Sequence, residues 1–254
     1  MSAELLGRAP VLERHRGLPV HAQIERWLMD EITAGRVAAG DRLPGERELA
    51  AALHVSRMTL RQALDGLARR GVLVRTPGRS GGAFVAQPKI DCDLTGLAGF
   101  TEQMRRAHRR AGAEVLAAHT VEAEGPVAAA LRLPTGAPVY EVVRVRSADG
   151  AALALERSWL PAEPLPGLLT HPLTGSIYEL LAERYGLAPH TAVEYLEPVS
   201  ADPGEAAALG VARGTALMGV ERTALSVAGM PVEFARDLYR TDRVRLMVRT
   251  EVRG

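Results

Sequence analysis

Between positions 19 and 40 the apolar residues Val20, Ile24, Trp27, Leu28, Ile32 and Val37 recur at helical spacing among polar neighbours, which predicts an amphipathic helix with a stop at Gly35. Pro44 precedes Glu46-Arg47-Glu48-Leu49-Ala50-Ala51-Ala52-Leu53, a short second helix. Val55-Ser56 leads into residues 57–70, where Leu60, Ala63, Leu64 and Leu67 form a buried stripe, with Ser56 as N-cap and Gly71 as stop. Val72-Leu73-Val74 and Ala83-Phe84-Val85 read as two short strands around Pro77-Gly78-Arg79-Ser80-Gly81-Gly82. Three helices and a hairpin in this order predict a winged helix-turn-helix over residues 18–86.

The polar, proline-interrupted stretch Gln87-Pro88-Lys89-Ile90-Asp91-Cys92-Asp93 predicts a linker over residues 87–93. Beyond it, helical patterns near residues 99–110, 176–185 and 203–209 alternate with strand-like runs near 139–147, 152–160, 193–198, 217–226 and 232–239. They predict a mostly antiparallel α+β domain over residues 94–250. Ala128-Ala129-Ala130-Leu131, Arg144 and Asp149-Gly150 match Ala206-Ala207-Ala208-Leu209, Arg222 and Ala228-Gly229 at an offset of about 78 residues, so a helix plus hairpin is expected to be duplicated.

Composition narrows the class. Of 254 residues 47% are hydrophobic and 24% charged, enough for real cores and against disorder. Cys92 is the single cysteine, which excludes an internal disulfide, and charged residues at Glu4, Arg8, Glu13, Arg14 and Arg16 interrupt any signal-like apolar stretch, so a cytoplasmic location is expected. The uncharged run from 164 to 178 is 15 residues with three prolines, too short and too broken to span a membrane. Residues 1–90 carry 14 basic against 9 acidic side chains, and residues 91–254 carry 17 against 21, so the net charge of +1 hides a basic first part and an acidic second. A basic part suits a polyanion.

The run Leu43-Pro44-Gly45-Glu46-Arg47-Glu48-Leu49-Ala50, then Val55-Ser56-Arg57-Met58-Thr59-Leu60-Arg61-Gln62-Ala63-Leu64, then Gly71-Val72-Leu73, resembles the DNA-binding domain of the GntR family of bacterial transcription regulators. Its hairpin is about two residues longer than the family's usual Gly-Lys-Gly-Thr-Phe wing. Further on, Phe100-Thr101-Glu102-Gln103-Met104, Leu153-Ala154-Leu155-Glu156-Arg157-Ser158, Ser176-Ile177-Tyr178-Glu179-Leu180-Leu181, Pro231-Val232-Glu233-Phe234 and Tyr239-Arg240-Thr241-Asp242-Arg243 are similar to the effector-binding UTRA domain of the HutC-type subfamily. That resemblance implies a chorismate-lyase-like fold.

Arg57 and Arg61 stand four apart on the face opposite the leucine stripe, so both can reach a major groove; Ser56 and Thr59 hydroxyls suit phosphate oxygens. The family resemblance adds Arg47 as a DNA contact. Met58 would read a base only through apolar contact. Gly78, Gly81 and Gly82 would let the wing backbone approach closely and Arg79 enter a minor groove, although a plain hairpin tip explains them as well.

In the second domain Arg144 and Arg146 are two apart on a strand and share a face. Read alone they are a solvated surface; the resemblance implies that they grip an anionic group of the effector. Glu156 and Glu233 fall on the outgoing strands of the two duplicated hairpins with equal pleat parity, and the resemblance places them in one pocket with Thr101, Ser176 and Tyr239 as polar groups and Phe100 as an apolar wall.

Ser176 lacks the second glycine of a nucleophile elbow, the seven histidines show no metal-ligand spacing, and no phosphate loop or dinucleotide fingerprint occurs, so neither catalysis, metal nor cofactor is expected. His54, beside the expected turn, reads as a turn or surface residue. The reading that follows is a ligand-responsive transcription regulator, expected to be a repressor, that binds a pseudo-palindromic double-stranded operator as a homodimer and answers to a small anionic metabolite, a phosphorylated sugar or aminosugar or a small organic acid. A chorismate-lyase-like enzyme fused to a DNA-binding domain and an architectural DNA binder without a ligand are the alternatives.

Overall fold

Leucine burial organises the first part of the chain. Helices α1 (Ser2–Gly7), α2 (Val20–Thr33), α3 (Glu46–Ala52) and α4 (Arg57–Arg69) precede the hairpin β1 (Leu73–Thr76) and β2 (Gly82–Val85). The computed structural model describes residues 2–13, 17–76 and 81–250 of two separate units, Met1–Pro88 and Lys89–Gly254. Ile24 and Leu28 of α2, Leu49 of α3, and Leu60, Leu64 and Leu67 of α4 enclose one another completely, and Leu73 and Val85 of the hairpin close the cluster. Each fully buried leucine contributes about 1.5–3 kcal/mol. The Ser56 hydroxyl oxygen accepts from the Thr59 amide at 3.0 Å, the expected N-cap. His54, in the turn between α3 and α4, takes a left-handed backbone at φ 52°. The helix α1 was not legible from the pattern; its Leu5 joins the same core. The wing residues Gly78 and Arg79 lie outside the described residues.

The second unit contains strands β3 (Ile90–Asp93), β4 (Ala111–Glu122), β5 (Pro138–Ala148), β6 (Ala151–Pro161), β7 (Pro189–Ser200), β8 (Ala216–Ser226), β9 (Pro231–Arg240) and β10 (Val244–Met247). Its helices are α5 (Phe100–Arg106), α6 (Gly125–Leu131), α7 (Ile177–Tyr185) and α8 (Pro203–Leu209). Residues 90–93, expected as linker, pair in parallel with β10 because Cys92 is buried among Phe100, Met104 and Val244. The expected strands are present and longer than their patterns, whereas β4, Ala-rich and irregular, is an addition.

The main sheet runs β4-β5-β6-β9-β8-β7, all antiparallel, and the expected duplication explains that order. Strand, helix and hairpin in β4-α6-β5-β6 are repeated as β7-α8-β8-β9, and the two hairpins meet where β6 pairs β9. Arg157 opposes Arg236 at that seam, and Arg144 and Arg222 are equivalent positions on β5 and β8. On one face α6 packs on Trp159 and Phe234, stacked at 5.6 Å, while α8 packs on Leu217. The other face is covered by α5, α7 and the short turn Leu168–Thr170, through Met104, Leu168, Ile177 and Leu181.

Candidate functional site

On the first unit the start of α4 is the candidate nucleic-acid interface. The stripe Leu60/Leu64/Leu67 turns inward, which forces Arg57 and Arg61 outward. Arg47 and Arg57 line one open depression of about 630 Å³ together with Arg42 and Pro44, and among the described residues neither Arg47 nor Arg57 makes an ion pair. Arg61 is placed differently: its guanidinium donates to Glu46 at 3.0 Å, and Glu46 also accepts from Arg75, which pairs with Asp65. Arg61 therefore starts from an intramolecular partner that a phosphate or base would have to replace. The Ser56 and Thr59 hydroxyls lie 2.8 Å apart, and that of Ser56 also caps the helix, so its position at the first turn is structural as well as polar. Met58 is 71% exposed beside them. Gly81, at the edge of the described wing, offers its carbonyl to Arg42 at 2.6 Å, and Arg42 also lies over the Phe84 ring. Arg42 was missed in the sequence because its role depends on where the hairpin returns.

On the second unit the sheet's register assembles a polar cavity. Cross-strand partners share a face, so Arg144, Glu156 and Asp237 stand side by side on β5, β6 and β9, and Ser158, Ala235, Arg222 and Glu194 form the neighbouring row. Phe100 and Thr101 at the start of α5, and Ser176 and Tyr178 at the start of α7, close over these rows. The space left is about 30 Å³, about two water molecules in size.

Inside it the arginines are buried, not solvated. Arg144 is 4% and Arg146 2% exposed, and both donate to one Glu156 oxygen, at 2.7 and 3.2 Å. Arg144 also donates to the carbonyls of Leu173 and Gly175, and Arg146 to the Thr101 hydroxyl at 2.9 Å, with the Phe100 ring 4.6 Å beneath it. Burial would push Glu156 upward, but Arg144 and Arg146 outweigh it and hold the carboxyl below its ordinary range. Desolvation lowers the pKa of Arg146.

Glu233 accepts from Ser158 at 2.8 Å and from the Tyr178 hydroxyl at 2.7 Å. Arg222, the counterpart of Arg144, donates to Glu194 at 2.6 Å and to Asp237 at 2.9 Å. Burial pushes Asp237 up to about 7 in spite of Arg222. Arg222, Asp237, Ser158 and Tyr178 were not singled out as site residues in the sequence, although the duplicated Arg222 was a signal that could have found the second half of the network. Ser176 lines the cavity, with its hydroxyl accepting from the Glu179 amide at 3.2 Å as the cap of α7. Tyr239 shares the face and stands level with Arg146, two strands away in the same register row; it is buried at 3% in the cluster of Met104, Ala154 and Val220 and is not among the residues that line the cavity.

The arrangement holds three cations against three carboxylates around polar hydroxyls. It can exchange internal ion pairs for those of a ligand with an anionic end and hydrogen-bonding donors. Among the described residues no group of ligands for a metal ion occurs. Among the described residues no helix is long and apolar enough to cross a membrane.

Comparison with known proteins agrees with both halves. The profile of the bacterial regulatory proteins, gntR family, matches residues 21–85, and that of the UTRA domain matches residues 106–245. The chain is 34% identical to the transcriptional repressor NagR of Bacillus subtilis over 91% of its length and 95% of the relative's. It is 34% identical to the transcriptional repressor PhnF of Mycolicibacterium smegmatis, over 94% of this chain and 93% of that one. The crystal structure of PhnF superposes with a TM-score of 0.65 at 32% identity, covering 92% of this chain and all of that one. These relatives are transcription regulators, not enzymes, which sets the enzyme alternative aside. With a GntR helix-turn-helix, a UTRA domain and full-length relatives of this kind, the chain belongs to the GntR family of transcription regulators, in its HutC-type branch.

Proposed function

We propose that this regulator is a cytoplasmic, homodimeric repressor released from a pseudo-palindromic operator by a small anionic metabolite, a phosphorylated sugar or aminosugar. The observation that carries the ligand class is the buried pair Arg144 and Arg146 converging on Glu156, beside the hydroxyls of Thr101 and Ser158. Two guanidiniums on one face are an anion clamp when a dianion replaces the single shared carboxylate oxygen, because charge-assisted, bidentate bonds are about twice as strong as neutral ones. Glu156, freed from that role, and Glu233 can accept from hydroxyls or an ammonium.

The cavity of about 30 Å³ is far below the roughly 300 Å³ at which ligand sites begin, so binding requires α5 or the start of α7 to move outward. That requirement is what lets a ligand favour one arrangement of the domain over another and so act as a switch.

Two features support the dimer. The recognition helix of one chain spans only part of an operator, so this motif gains specificity from two half-sites. The outer strands β4 and β7 are 12 residues long and expose Leu116, Val193, Tyr195 and Leu196, a sheet edge that a second copy can cover.

A thermal-shift screen of phosphorylated sugars, aminosugar phosphates and small organic acids, repeated on Arg146→Ala, tests the reading. A compound that raises the melting temperature of the parent and not of the variant is expected. Stabilisation of both alike, or by uncharged sugars only, would refute the anion clamp.

A further inference from the structure

Glu156 and Asp237 face each other directly across the β6–β9 pair, two buried carboxyls side by side in the register. Like charges in that position are destabilising. Each is compensated from outside the pair: Glu156 by Arg144 and Arg146, and Asp237 through Oδ2 by Arg222 at 2.9 Å. The compensation is incomplete at one atom. Asp237 is 3% exposed and lines the cavity, yet its Oδ1 is buried without a hydrogen-bond partner among the described residues. A buried acceptor left without a donor is costly, so it is retained where something else satisfies it.

The acceptor cannot relax to find a partner within the fold. Arg222 is fixed by Glu194 on β7 and lies within reach of Tyr178, and this holds Asp237 by its other oxygen. Asp237 and Arg144 stand two strands apart, roughly 10 Å along the sheet. We infer that Asp237 is a specificity-determining residue: its Oδ1 accepts a hydrogen bond from a hydroxyl or ammonium at the end of the ligand remote from the anionic group. This rests on the anion-clamp reading of Arg144 and Arg146 and adds a second fixed point to it. Two points at that separation select a ligand of sugar-phosphate length with a donor at its far end, and reject a bare or short phosphate.

Asp237→Asn tests this with little change in shape. At about pH 8, where the Asp237 carboxyl is ionised, the Arg222 donors hold the amide oxygen of the variant, so the amide nitrogen turns toward the ligand and an acceptor becomes a donor. The probes for calorimetry on the full chain are inorganic phosphate, ethyl phosphate, glucose 6-phosphate and glucosamine 6-phosphate. In the parent at least one sugar phosphate should bind tenfold or more tightly than ethyl phosphate. Asp237→Asn should erase that preference and leave inorganic and ethyl phosphate within about twofold of the parent. Arg146→Ala should weaken all four probes. A parent that binds sugar phosphates no better than ethyl phosphate overturns the inference without need of the variant. So does an Asp237→Asn protein that keeps the preference, which would leave Oδ1 a solvated structural atom. Unchanged binding in Arg146→Ala sinks the clamp instead, so the two failures are separable.

Discussion

Burial holds Asp237 at about 7, with Glu156 and Glu233 adding to the shift and Arg222 opposing it. Arg144 and Arg146 from β5, Tyr178 from α7 and Tyr239 from β9 complete the charged and titratable groups around it. Its folded pKa lies above the unfolded value of about 3.9, so between those values the folded state binds more protons and stability falls as pH rises. This contribution is fully present below the unfolded value and lost as pH passes about 7. Asp237→Asn should therefore flatten the melting temperature between about pH 5 and 8 and raise it at the upper end, by about 2–4 °C per kcal/mol regained. Parallel melting curves for parent and variant would show that Asp237 does not titrate there. At this scale the sequence was legible in part. Strand parity paired Arg144 with Arg146 and Glu156 with Glu233, the resemblance joined the two pairs, and all four line the cavity. Parity alone does not say how far along a strand the cavity extends, so Asp237, two residues before Tyr239 on β9, was passed over.

Among the elements, α4 carries the clearest consequences. Arg57 is exposed at its first turn and unpaired among the described residues, so Arg57→Ala should leave the melting temperature unchanged and weaken specific DNA binding by about 1–3 kcal/mol at fixed salt. Arg61→Ala should lose less, because part of its gain on DNA is offset by surrendering Glu46. Equal operator affinity in Arg57→Ala and the parent would deny α4 its role. Leu64→Ala empties the centre of the same helix's buried face and should cost about 2–5 kcal/mol in urea unfolding of the first unit. The helices α2 and α4 were readable because a 3.6-residue period over ten or more positions leaves few alternatives, and the seven-residue α3 because Pro44 stands just before its helix-forming run. The parallel pair β3 and β10 was not: each is four residues long, and its partner lies at the other end of the domain, so no local pattern marks it. Strand β4 escaped for a related reason, since an edge strand rich in alanine buries too little to show a clean alternation.

The duplicated hairpins give the second unit its architecture: the β6–β9 seam places Arg144 and Arg222, equivalent by repeat, around a single cavity. The repeat was visible in the sequence, and the sheet order follows from it; the closure of α5 and α7 over the cavity depends on packing that no local pattern encodes. Dimerisation belongs to this scale as well. The full chain should sediment at twice its mass of 27.2 kDa at micromolar concentration, and Tyr195→Glu on the exposed β7 edge should shift it toward the monomer. Sedimentation of the parent as a monomer would contradict a two-half-site repressor. The central claim is that a ligand held by the arginine clamp releases DNA. Its most direct measurement is the affinity for an operator selected from random duplexes, with and without the best-stabilising phosphorylated compound, in the parent and in Arg146→Ala. The account predicts that the compound weakens the parent's operator binding by tenfold or more and leaves Arg146→Ala bound as tightly as without it. Equal release in both proteins, or no release in the parent despite ligand binding, would contradict it.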